Sequence, residues 1–165
     1  MNGNDKMRLI LIRVIAVGLI ALSLGSAWYL YHSYRADTQA EQARTDSVAA
    51  ARRTVEGMFT YDFHSVDTEL PKIANNLAPG FRDDYLKLIN QAIVPGAKEK
   101  QLTVQATAQA AGIVSAQRSH AVVLVYLNQV TTSKDSPQGT VTPSRVRVSL
   151  DRRDGQWLVA QVTPI

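Results

Sequence analysis

The sequence predicts an α+β protein, with an N-terminal transmembrane helix followed by a cone-shaped domain of about three helices packed on a four-stranded antiparallel sheet. Three observations carry this. An uncharged apolar run lies near the N-terminus. The middle of the chain has apolar residues at helical spacing. The C-terminal third alternates apolar and polar residues at strand spacing. Helices first and strands afterwards is the pattern of α+β domains.

The apolar run extends from Val14 to Tyr31 without a charge. At helical rise it is about 27 Å long, close to the hydrocarbon thickness of a bilayer. Lys6, Arg8 and Arg13 flank one end, and Trp28, Tyr29, Tyr31 and Tyr34 cluster at the other. Basic residues stay cytoplasmic and aromatic rings favour the headgroup level. The expected layout is therefore a cytoplasmic stretch 1–13, a membrane helix 14–34 and an extracytoplasmic domain 35–165. This is a single-pass plasma-membrane topology with the C-terminal domain in a periplasm-like space. A cleaved signal peptide is the competing account, with Gly25-Ser26-Ala27 as the small residues at a cut. The run is longer than a signal h-region, and apolar Trp28–Tyr31 would follow the cut, so the uncleaved anchor is preferred. Gly18, Ala21 and Gly25 share one helix face and form a candidate membrane-helix contact. Gly and Ala are also common in membrane helices without such a role, and that plainer account is favoured.

After the membrane, Val48, Ala51, Val55, Met58 and Phe59 recur at helical spacing, predicting an amphipathic helix over Thr38–Phe59 weakened at its end by Gly57. Tyr61 to His64 reads as a turn. Ser65 or Asp67 is placed to cap a second helix through about Asn76, and Leu77-Ala78-Pro79-Gly80 breaks it. A third helix begins near Phe81, carries the stripe Phe81, Tyr85, Leu88, Ile89, Ala92 and Ile93, and ends at Pro95-Gly96. The period then changes. Leu102, Val104, Ala106, Ala108 and Ala110 alternate with polar residues, with Gly112 marking a bulge. Ala121–Tyr126 is apolar on both faces and suits a central strand. Val146, Val148 and Leu150 alternate with Arg145, Arg147 and Ser149. Asp154-Gly155 marks a tight turn before a last strand over Trp157–Val162. Lys134–Gly139, rich in Ser, Pro and Gly, reads as a flexible loop.

Charge and composition exclude several functions. Of the 18 Lys+Arg and 14 Asp+Glu, 14 and 13 lie from Asp37 onward, so the domain is nearly neutral and lacks the basic face that nucleic acid requires. There are no cysteines, which removes disulfides, thiolate metal sites and thiol nucleophiles. His32, His64 and His120 are far apart, without ligand spacing. No cofactor or metal is expected. Cone-shaped domains include enzymes that need a carboxylate in an apolar pocket. Tyr61, Asp62, Asp67, Asp83, Asp84 and Tyr85 have the right types. Each acid also has a structural role at a helix start or turn, so no enzyme activity is expected.

Several motifs occur together in order: the membrane helix, an Ala-Arg-rich helix, Thr60-Tyr61-Asp62, Pro79-Gly80-Phe81-Arg82-Asp83-Asp84-Tyr85 and Gly155-Gln156-Trp157-Leu158-Val159. The chain thereby resembles the Mce-associated membrane proteins of actinobacteria. That resemblance implies a nuclear-transport-factor-2-like domain similar to type IV secretion assembly subunits. It implies a role as an accessory or assembly subunit that stabilises a Mce-type importer of fatty acids or sterols, with other transporter subunits as partners. A small-lipid carrier or sensor is the alternative, and a cone-fold isomerase the third reading. From the residues themselves, Val122, Leu124 and Tyr126 cannot share the helix-covered face with Val123, Val125 and Leu127. With Arg145 and Arg147 they form a candidate partner surface, for an acidic partner or anionic headgroups. For the arginines alone, a solvated sheet face is the plainer account.

Overall fold

The computed structural model describes Trp28, which is helical, and residues 41–165. Apart from Trp28, the predicted membrane segment 14–34 with Gly18, Ala21 and Gly25, and the stretch 1–13, lie outside the described residues.

Helix α1 covers residues 41–59. Its buried stripe is Ala43, Ser47, Ala50, Ala51, Thr54 and Val55, at the spacing of three and four that one helix face requires. Val48, Met58 and Phe59 of the predicted stripe flank it as half-buried residues. The buried side is thus made mostly of small side chains, which let a helix approach its neighbours closely.

A two-residue strand β1, Tyr61–Asp62, follows where a turn alone was predicted. It pairs with the next strand through Tyr61↔Val104 and Asp62↔Thr103, so the sheet has five strands rather than four. Helix α2, Val66–Ile73, buries Val66 and Leu70 and runs into a 3₁₀ turn, Ala74–Asn76. Its start is held by the Ser65 carbonyl, which accepts from the N–H groups of Thr68 and Glu69. The Ser65 hydroxyl makes no cap. Helix α3, Pro79–Leu88, begins two residues before the predicted start. Proline suits the first helical position because its missing N–H would lack a helical partner there anyway.

The predicted stop at Pro95-Gly96 does not occur. The helix passes through a π-helical turn, Ile89–Ile93, into α4, Val94–Lys100. The widened turn resets the hydrogen-bond register just before the proline, which then sits in the first turn of α4, where no donor is needed. Gln101 ends the run in the left-handed conformation, φ 51°. Among the described residues, three helical bodies therefore lie on the sheet: α1, α2 with its 3₁₀ turn, and α3 continued by α4.

The sheet is a curled antiparallel meander in sequential order, with β2 Thr103–Ala116, β3 His120–Ser133, β4 Ser136–Arg153 and β5 Gln156–Pro164. Gly112 is not a bulge, since it pairs in register with Leu124. The register shifts lie between Ala108 and Ala110 and between Ile113 and Ser115. Helix α1 meets the first irregularity, where Glu56 Oε1 accepts from the Ala108 N–H at 2.7 Å and Arg52 donates to the Ala108 carbonyl at 2.7 Å. These side chains stand in for a missing neighbour strand along part of the β2 edge. Lys134–Gly139 is no loop either. Only Lys134 and Asp135 turn, and β4 begins at Ser136. Of this stretch only Ser136 has a register partner on β3, Ser133; the register breaks before Thr131↔Thr140, and Gly139 has a positive φ of 79°. Asp154 and Gly155 both have positive φ, 49° and 80°, the two-residue turn whose twist matches the flanking strands and whose second position glycine fills without strain.

The core lies between the helices and one sheet face. Val123, Val125 and Leu127 of β3, Val146, Val148 and Leu150 of β4, and Trp157 and Val159 of β5 meet Ala51, Val55, Val66, Leu70, Leu77 and Ile89.

Candidate functional site

Two surfaces on opposite faces of the sheet are candidates. On the outer face the β3–β4 register sets Leu124 opposite Arg147, Tyr126 opposite Arg145 and Val122 opposite Ser149. The five residues singled out in the sequence are thus adjacent. Val122 and Leu124 are half-buried, Arg145 and Arg147 exposed, and Tyr126 is 43 % exposed. The same face continues to Val130, 41 % exposed, and its partner Val141, 60 % exposed. A shallow depression beside Tyr126 is bordered by Pro143 and Arg145. Sequence reasoning missed Val130, Val141 and Pro143 because it read the central strand only to Tyr126 and the next strand only from Arg145. The β-branched run Thr140-Val141-Thr142 was the available signal.

Between the inner sheet face and the helices lies a cavity of about 420 Å³, within the usual range for small-molecule sites. Phe59, Phe81, Leu88, Ile89, Leu102 and Val162 supply apolar wall. Tyr61, Asp84, Tyr85, Gln129 and Thr131 supply the polar groups. Tyr85 is buried, and its hydroxyl has no hydrogen-bond partner among the described residues. Burial pushes the Tyr85 phenol well above its ordinary pKa and raises that of Tyr61. Both stay protonated at neutral pH. Gln129 is oriented by donating to Ser144 Oγ at 3.0 Å. Asp84 is exposed at the rim, 3.9 Å from Lys87 Nζ.

The other acids named from the sequence lie off this cavity. Asp67 accepts from Lys98 Nζ at 2.5 Å, joining α2 to α4. That bond holds its carboxyl below the usual range. Asp62 accepts from Thr103 Oγ1 at 2.6 Å and from the His64 backbone N–H at 2.9 Å, and its carboxylate lies 2.6 Å from His64 Nδ1. The Thr103 bond first, then the His64 contacts, bring its pKa down to about 2 from 3.8. The group is depressed in the folded state, so its contribution to stability is complete above the unfolded value and is lost as pH falls from about 4 toward 2. Asp62→Asn is therefore expected to flatten stability across that window. Urea unfolding midpoints measured through the acid range check this. A wild-type slope retained by the variant would contradict it.

A relative from Mycobacterium tuberculosis, the outer membrane protein Rv1973, is 37% identical over 159 residues, covering 93% of this chain and 98% of its own length. Among solved structures, an IcmL-like type IV secretion system protein from Legionella pneumophila superposes with a TM-score of 0.60 at 17% identity, covering 72% of this chain and 90% of that one. A periplasmic fragment of TraM also gives 0.60, at 12% identity, covering 73% and 95%. At such identities the likeness is one of fold, and it is the likeness to type IV secretion domains that the sequence resemblance implied. Residues 8–165 match one family model, and the chain belongs to that family, described as "Uncharacterized protein Rv1363c/MT1408-like".

Proposed function

We propose that this chain is a membrane-anchored accessory subunit of the cell envelope, and that it stabilises a Mce-type lipid importer through contacts of its outer domain with other transporter subunits. The observation that carries the reading is the outer sheet face. Tyr126, Val130 and Val141 stand exposed on one face with Leu124, with Asn128 and Pro143 between Tyr126 and Val130, and Arg145 and Arg147 lie opposite Tyr126 and Leu124. Apolar side chains exposed together among polar ones are a common mark of a docking site. Aromatic and arginine side chains dominate interface energetics. The arginines favour a partner with acidic residues around an apolar centre.

Three further points support the reading. A relative over nearly the whole chain is called an outer membrane protein. The folds it resembles include a periplasmic fragment. The apolar run before the domain has the length and flanking charge of an anchor with its N-terminus in the cytoplasm. The proposal assigns the domain no turnover.

The test is affinity capture of the full chain from mild detergent, with co-purifying Mce-type transporter subunits quantified by mass spectrometry. Leu124→Ser, Tyr126→Ser and Val130→Ser combined remove side chains of about hot-spot weight, and recovery of those subunits is expected to fall at least about 30-fold. The thermal midpoint of the triple variant checks that it folds, since Tyr126 and Val130 are exposed and Leu124 half-buried. Undiminished recovery with the triple variant, or wild-type chain that brings down no transporter subunit, would defeat the proposal.

A further inference from the structure

We propose that the far half of β2, around Ala110–Ile113, is a self-association edge, which pairs antiparallel with the same segment of a second copy of this chain about a two-fold axis at Gly112. This goes beyond the accessory role and does not depend on it, because the edge needs no transporter subunit.

The first observation is that this edge is open. The sheet runs β1-β2-β3-β4-β5, so only β3 lines the whole of β2. The near half of β2 is covered on its other side. Strand β1 pairs with Thr103 and Val104, Thr60 Oγ1 accepts from the Ala106 N–H at 3.0 Å, and Glu56 and Arg52 serve Ala108. Beyond Ala108, no hydrogen bond among the described residues reaches the open side. Ala108, Ala111 and Ile113 lie opposite Leu127, Val125 and Val123, which alternate along β3. They therefore share one orientation, and the backbone groups of Ala111 and Ile113 face the open side as those of Ala108 do. Such a row of unpaired N–H and C=O groups is a template for another strand.

The second is the lack of what usually protects an edge. From Gln101 to Gln117 the chain carries no charged residue and no proline. Ile113 is 36 % exposed and Val114 62 % exposed. The opposite edge of the sheet differs. There Leu77 bridges to Val159, the Ala78 N–H donates to the Val159 carbonyl, and β5 ends on Pro164.

The third selects the occupant. An uncharged edge meets its own copy without like-charge repulsion. Register shifts between Ala108 and Ala110 and between Ile113 and Ser115 bracket the regular stretch Ala110–Ile113 and confine pairing to it. Side-chain sizes about Gly112 are complementary under reversal, with Ala110 and Ala111 before it and Ile113 and Val114 after it. With Gly112 opposite itself, Ile113 of each copy meets Ala111 of the other, and Val114 meets Ala110, large against small. The Ala111 and Ile113 backbone groups of each copy then exchange both bonds with the other. A patch that pairs with itself in this way closes a two-fold dimer, the commonest oligomer.

The chain has no cysteine, so one introduced thiol reports one position. Gly112→Cys fits, since a Cβ there meets nothing within 4 Å and the glycine has no positive φ. In the paired form the two Cα atoms at 112 stand about 4.5 Å apart, within reach of a disulfide. The test is oxidation of the full chain in mild detergent with copper phenanthroline, read on a non-reducing gel. Gly112→Cys should give a covalent dimer. Thr107→Cys, exposed on the same strand, should crosslink at least about tenfold more slowly, being roughly 30 Å from its counterpart in this register. Two changes added to Gly112→Cys should each lower its crosslinking at least about tenfold: Ala111→Pro, which removes an N–H from the open side only, and Ile113→Lys, which sets two ammonium groups diagonally across the axis. Urea midpoints check that both fold, and the lysine variant keeps the test if the proline variant does not. No dimer from Gly112→Cys, equal crosslinking at 107 and 112, or undiminished crosslinking with Ile113→Lys would each overturn the assignment. A dimer held through the membrane segment alone would give one of the first two results.

Discussion

Leu150→Ala is expected to destabilise the domain by about 2–5 kcal/mol, toward the upper end of that range. Leu150 is 0 % exposed and lies near the C-terminal end of β4, which pairs on one side with β3 and on the other with β5. Its ladder neighbours are Ala121 and Val159, both fully buried. Alanine at 121 cannot swing into vacated space, and the hydrogen-bonded strands on either side hold the backbone in place. The lost methyl groups thus leave a void rather than a collapsed core. Leu158→Ala is the matched control. Leu158 is half-buried and stands opposite Asp151 on the outer face, so its truncation should cost less than about 1 kcal/mol. Urea unfolding with equal slopes for both variants measures the difference. A similar loss from the two leucines would mean that the β4–β5 core is not close-packed around Leu150.

Arg82→Met should cost about 1.5–3 kcal/mol, the range for hydrogen bonds made by a charged donor. Arg82 Nε donates to the Ala74 carbonyl at 2.8 Å, and its terminal nitrogen to the Leu77 carbonyl at 3.2 Å. The Ala74 carbonyl also accepts from the Leu77 N–H at 3.1 Å, closing the 3₁₀ turn, and the Leu77 carbonyl lies just after it. One guanidinium therefore ties the end of α2 to the start of α3. The segment it secures also pairs with β5, through the Ala78 N–H donating to the Val159 carbonyl at 2.8 Å and through the Leu77↔Val159 bridge. Methionine keeps the apolar stem and removes every donor. Arg82→Lys should recover only part of the loss, because a single ammonium cannot reproduce the two-pronged geometry. Equilibrium unfolding of the three proteins decides it. A methionine variant as stable as wild type would show that water satisfies those carbonyls equally well.

Much of the fold was legible because it rests on periodicity. The stripe through Ala51 and Val55, the Asp154-Gly155 turn and the alternation of Val146, Val148 and Leu150 all appear where their spacing predicts. The misreadings share a cause. Pro95-Gly96 and Lys134–Gly139 carry local breaker signals, yet a π-turn readmits the proline, and β4 begins at Ser136, through an irregular register, in a stretch that composition marked as loop. The two-residue β1 was too short to produce any period. At the cavity, the residue types were visible as the stripe Phe81, Tyr85, Leu88, Ile89 and Ile93, yet a stripe of that kind reads equally as core.

By itself the sequence determined the order of helices and strands, the apolar run ahead of the domain, and the fact that β3 carries two apolar faces, because these depend on neighbours along the chain. Only the tertiary structure decided which face of β3 the helices cover. It placed Val123, Val125 and Leu127 inside and left Tyr126 and Val130 outside with Arg145 and Arg147. It alone left about 420 Å³ unfilled around Tyr85. Both outcomes follow from how separate elements meet, through sheet register, curl and the volumes of side chains far apart in the chain, and no local spacing encodes that meeting.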